Sequence, residues 1–196
     1  MSKIHPQAPH AHLASHPFTT STQESFTIWM KSLILNGKGC TVFDSNGQIV
    51  YRVDNYHCKC SHEVYLMDIT GKKFRLVRFW ERFRPFNGRV NDEDKIPGFE
   101  VRKSCRVLRG DNICEVVVWF DKDQPSQYYQ IESCPERSTF KIVDKLDRLI
   151  TEVKRKQSKC GISLGEDVLT MVVEPQIDHS LIMALVVAYA LINGLM

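Results

Sequence analysis

From Leu181 to Ile192 every residue is apolar except for the hydroxyl tip of Tyr189. A helix with no polar face must be surrounded on all sides, either by lipid or by its own protein. Length separates the two. A dozen helical residues at about 1.5 Å each cover roughly 18 Å, against about 30 Å of bilayer hydrocarbon. The surroundings also read as those of a helix in a protein core. Pro175 ends the preceding strand and Asp178 stands where a side chain caps a first turn. The expectation is a helix buried within its own fold, with membrane insertion of the same segment as the alternative.

What could enclose it is a sheet. "TVFDSNGQIVYRV" (residues 41–53) places two β-rich runs around Asn46-Gly47, a dipeptide suited to the positive φ angles of a tight hairpin turn. "VYLMDITGKKFRLVRFW" (64–80) repeats the plan with Asp68 opening the turn and Gly71 closing it, and "FKIVDKLDRLITEVKRK" (140–156) repeats it around Asp144–Asp147. The recurrence near 68 and 144 hints at two related halves. "EVRKSCRVL", "ICEVVVWF", "SQYYQIE" and "DVLTMVVE" are further β-branched or aromatic runs between turn-forming residues, while "RPFNGRVNDEDKIPG" (84–98) reads as a polar loop. About a dozen short strands fit an all-β body, a closed antiparallel barrel wide enough to hold one central helix. Residues 1–24, rich in Pro, Ser, Thr and Ala, read as a disordered tail, and 25–196 as a single domain.

Two segments carry a resemblance. "SLILNGKGCTVFDSNGQIVYRVDNY" (32–56) and "GEDVLTMVVEPQIDHSLIMALVVAYAL" (165–191) resemble the N- and C-terminal signatures of the plant LURP-one-related family. The likeness runs from about Phe26 to Ile192 and is diffuse in the middle, where "RFWERFRPFNGRVNDED" departs from a more regular basic strand. Members of that family are similar to the C-terminal domain of tubby proteins and to phospholipid scramblases. The resemblance implies a 12-stranded barrel around a hydrophobic C-terminal helix, phosphoinositide binding through basic side chains on the barrel wall, membrane-tethered regulation of transcription, and an association with plant defence.

The residues offer little catalytic chemistry. "GISLG" (161–165) matches G-x-S-x-G, but a nucleophile elbow needs a helix after it, and here another strand follows. "HCKCSH" (57–62) holds two cysteines and two histidines without a second pair to complete a tetrahedral zinc site. His5, His10, His12 and His16 lie in the tail. Neither a metal nor a cofactor is expected. Seven irregularly spaced cysteines, with no charged-then-apolar leader ahead of them, suggest reduced thiols in an intracellular protein, cytoplasmic, peripheral at membranes or nuclear, and not secreted.

The net charge of +3 is too mild to point to direct nucleic-acid contact, but the basic residues are unevenly placed. Lys72, Lys73, Arg75, Arg78 and Arg82 crowd one stretch, and Lys154, Arg155 and Lys156 another. Should the two strands be neighbours, they make a positive patch for anionic phospholipid headgroups or an acidic protein partner. The reading is a monomeric, non-enzymatic binding module. A scramblase-like lipid-moving protein with an inserted helix is the alternative.

Overall fold

The computed structural model describes residues 19–30, 38–55, 63–71, 73–79, 82–85, 98–104, 113–119, 127–134, 139–158 and 160–193, with the backbone alone for 38, 54, 55, 63, 73–79, 82–85, 98, 103, 104 and 134. Alternating apolar residues make the strands. In β8 (Ile113–Trp119), Cys114, Val116 and Val118 are buried, and in β12 (Val168–Val173), Leu169, Met171 and Val173 are. That period of two is the mark of strands with one face on a core.

The order is β1 (Glu24–Trp29), β2 (Lys38–Phe43), β3 (Ile49–Asn55), β4 (Glu63–Asp68), β5 (Lys73–Phe79), β6 (Arg82–Pro85), β7 (Gly98–Ser104), β8, β9 (Gln127–Cys134), β10 (Thr139–Asp144), β11 (Leu149–Arg155), β12 and then α1 (His179–Ile192). Each strand pairs antiparallel with its sequence neighbours, and β1 pairs with both β2 and β12, so the sheet closes on itself. Closure leaves no free sheet edge among these strands. The chain is thus mostly β with a single C-terminal helix.

Inside runs α1. Asp178 accepts hydrogen bonds from the backbone N–H groups of Ser180 (2.9 Å) and Leu181 (3.2 Å), which caps the first turn. Residues 180–190 are all buried, and no described helix is long and apolar enough to cross a membrane. His179 lies beside Tyr51 at the start of β3, and Tyr189 beside Phe140 at the start of β10. The helix therefore runs from one end of the ring, here called the mouth, toward the opposite rim.

Three of the mouth turns use one device. Asp44 Oδ1 accepts from the N–H of Asn46 and Gln48, and Asp144 Oδ1 accepts from the N–H of Leu146 and Arg148. Asp68 Oδ1 accepts from Thr70 N–H. The left-handed position that follows holds Gly47 (φ 78°), Gly71 (φ 81°) or Asp147 (φ 56°). The expectation at Asn46-Gly47 needs correcting, because Asn46 does not take a positive φ. The turn is a longer one, with a single left-handed residue and an irregular register between Val42 and Phe43.

Three other readings shift. Residues 19–24 are not loose tail: Thr19 bridges Asp178, Thr20 C=O accepts from Gln176 N–H (2.8 Å), and Glu24 opens β1. The rest of the tail, with its four histidines, lies outside the described residues. Arg84 and Pro85 belong to β6 and Gly98 to β7, so the polar loop read from 84 to 98 is shorter at both ends. β6 has no counterpart among the strands read from the sequence, since "RFRP" is only four residues long and ends in a proline.

Candidate functional site

At the mouth, the first helical residue is held by a small polar cluster. Tyr51 Oη lies 2.8 Å from His179 Nδ1, and Glu24 Oε2 lies 3.8 Å from His179 Nε2. The carboxylate favours a proton on Nε2, so Nδ1 accepts from the tyrosine O–H. The electrostatics agree. Burial, then the nearby charges of Asp178, Asp68 and Glu24, push the Tyr51 pKa far up and keep it a donor. Burial lowers that of His179 against the opposing pull of Glu24 and Asp178, which keeps the ring neutral. Phe26 packs at 5.5 Å between ring centroids. The cluster ties β1, β3 and α1 together. Sequence reading missed it because its members are 24, 51 and 179, with no local pattern to join them.

The opposite rim carries Lys154, Arg155 and Lys156. Lys154 Nζ is 2.9 Å from Glu152 and Arg155 3.4 Å from Glu166, while Lys156 Nζ donates to Thr27 Oγ1 at 2.6 Å. Residues 156–167 link β11 to β12 through a hydrogen-bonded turn. Ser158 N–H donates to Ile162 C=O (2.7 Å), Leu164 N–H to Lys156 C=O (3.0 Å), and Gln157 bridges Ser163. Ile162 and Leu164 are nevertheless 68% and 52% exposed. Trp29 at the end of β1 stands on the same rim, 37% exposed, its indole N–H donating to Asp167 (3.3 Å).

Whether the two basic stretches meet is settled by the strand order. β5 and β11 stand six places apart in a ring of twelve, on opposite walls. The single patch entertained from the sequence is not formed. Lys73 is in register with Met67 near the mouth, Arg75 with Tyr65 in mid-strand, and Arg78 with Phe83 close to the opposite rim, where Phe79 faces Arg82. Lys72 lies outside the described residues. Arg78, Arg82, Lys154, Arg155 and Lys156 thus share an end of the barrel without sharing a wall.

The other motifs resolve simply. Ser163 is exposed in the turn before β12, so "GISLG" lacks the helix an elbow needs. "HCKCSH" lies outside the described residues. Among those described, no three of His, Cys, Asp and Glu are grouped as for a metal. Cys40 and Cys114 are buried, and Cys160 is exposed.

Comparison with known proteins places this arrangement. The LURP-one-related family profile matches residues 24–190, from the first strand into the last turns of α1. The chain is 43% identical over 205 residues to Protein LURP-one-related 11 of Arabidopsis thaliana, covering 98% of this chain and 89% of that one. It is 46% identical over 187 residues to Protein LURP-one-related 3 of the same plant, covering 89% and 82%. A protein of Arabidopsis thaliana solved by X-ray crystallography shares the fold at a TM-score of 0.62 and 16% identity, over 90% of this chain and 94% of the other. The chain belongs to the LURP-one-related family.

Proposed function

We propose that the protein is a non-enzymatic docking module, related to the tubby-like and scramblase-like barrels, that binds anionic phospholipid surfaces through basic residues of its closed sheet. One observation carries the reading: α1 fills the interior, with residues 180–190 buried, so the outer wall and rims are what a ligand meets. On that outside, Lys154 is about half exposed, its ammonium paired at the surface with a similarly exposed Glu152. Each basic residue near an anionic membrane adds about 1 kcal/mol. The enclosed helix argues for peripheral docking rather than the inserted, lipid-moving alternative. A setting in plant defence rests on the family relationship alone.

Flotation with phosphatidylserine-containing vesicles tests it. The protein floats with them at low salt and is released at high salt, as screening requires. Replacing Arg78, Lys154 and Lys156 together by Glu lowers binding by about tenfold or more. Failure of the native chain to float at low salt overturns the proposal.

A further inference from the structure

Both ends of the ring expose apolar residues on ordered turns. Ile69 and Leu146, each 73% exposed, occupy the mouth turns, and Ile162, Leu164 and Trp29 the opposite rim. Exposure therefore does not say which end a surface would take. Charge does. The mouth turns are built on Asp44, Asp68 and Asp144, with Asp147, Glu24, Glu174 and Asp178 nearby, and Lys73, Lys145 and Arg148, the last paired with Asp144, offset part of that charge. The opposite rim gathers Lys154, Arg155 and Lys156, with Lys38, Arg78, Arg82 and Lys103 at strand ends on that side. Asp54, Glu63, Glu152, Glu166 and Asp167 offset part of this, and the half-charge at the C-terminus of α1 is a further small opposing term. Among the described residues, basic ones still outnumber acidic ones there.

The spacing says what kind of partner fits. Six strands at about 4.8 Å each make half a circumference, which sets the β5 and β11 groups roughly 20 Å apart across the ring. That exceeds a Debye length of about 8–10 Å. One small phosphorylated ligand cannot touch both groups, but a plane laid across the rim touches both at once.

Resting on the docking reading above, we infer that the barrel stands end-on on anionic bilayers, with its β11–β12 turn as the inserting tip. In this pose Ile162 and Leu164 enter the acyl boundary, Trp29 lies at headgroup level, and the basic rim meets the lipid phosphates. The hydrogen bonds that fix the turn hold the two apolar side chains outward before contact, so little ordering is needed on binding.

The test compares two neutral double variants of the full chain on phosphatidylcholine–phosphatidylserine vesicles. Ile162→Asn with Leu164→Asn weakens binding at least tenfold, while Ile69→Asn with Leu146→Asn at the mouth leaves it unchanged. All four positions are exposed, so both variants keep the native thermal transition. A tip variant that binds like the native chain, or a mouth variant that loses as much, overturns the end-on pose while leaving docking itself in place. If the native chain binds no vesicle at low salt, the docking reading fails and the inference with it.

Discussion

His179 makes the fold sensitive to pH. It begins α1, where the positive end of the helix dipole and burial both disfavour a second ring proton. The charged groups facing it are Glu24 and Asp178, with the Tyr51 hydroxyl donating to it. Its pKa in the fold is therefore below the ordinary value of about 6.5, and the unfolded chain takes up the proton first. The stability that depends on a neutral ring is complete above that value and is lost as pH falls below it. Thermal unfolding followed from pH 7.5 down to 5 should show the native midpoint falling, and His179→Gln, which has no proton to take up, should show a shallower fall. Equal slopes would remove the histidine as the cause. Nothing near Asp178-His179 in the chain announces this cluster, because Glu24 and Tyr51 reach it only through strand pairing.

At the level of elements, the β2–β3 and β10–β11 turns make an internal comparison. Both use an aspartate to hold two backbone N–H groups, and both put their fourth residue in the left-handed region, glycine in one and Asp147 in the other. A non-glycine residue there costs about 1 kcal/mol or more, partly repaid by the smaller freedom of its unfolded chain. Asp147→Gly should thus raise stability by about 0.5 kcal/mol, read as a shift in the denaturation midpoint. These turns were legible because their determinants are local: an aspartate, and a residue three positions on that tolerates positive φ. The turn type at Asn46-Gly47 was misread because the dipeptide does not say how many residues on either side join the loop. β6 escaped notice for a different reason. Four residues are too few to show a period, and only pairing with β5 and β7 makes "RFRP" a strand.

For the whole molecule, the helix and the ring depend on each other. Interior residues of the ten strands β1–β4 and β7–β12 join α1 in one core, so a chain ending before Asp178 would leave an apolar cavity the width of a helix. Deletion of residues 178–196 should give a protein that aggregates, seen as loss of the monomer peak in size exclusion. A folded monomer from that deletion would mean that the ring stands without its core. Charge is organised on the same scale, acidic at the mouth and basic at the opposite rim, which no window of sequence displays. The sequence by itself determined the all-β character, the turn aspartates and a helix too short to span and too apolar to be exposed, since these follow from periodicity, backbone preference and length. Only the tertiary structure decided that β5 and β11 stand on opposite walls, that Glu24, Tyr51 and His179 meet, and that the basic strand ends share one rim. Those are relations between residues far apart in the chain, and ring closure, not local chemistry, sets them.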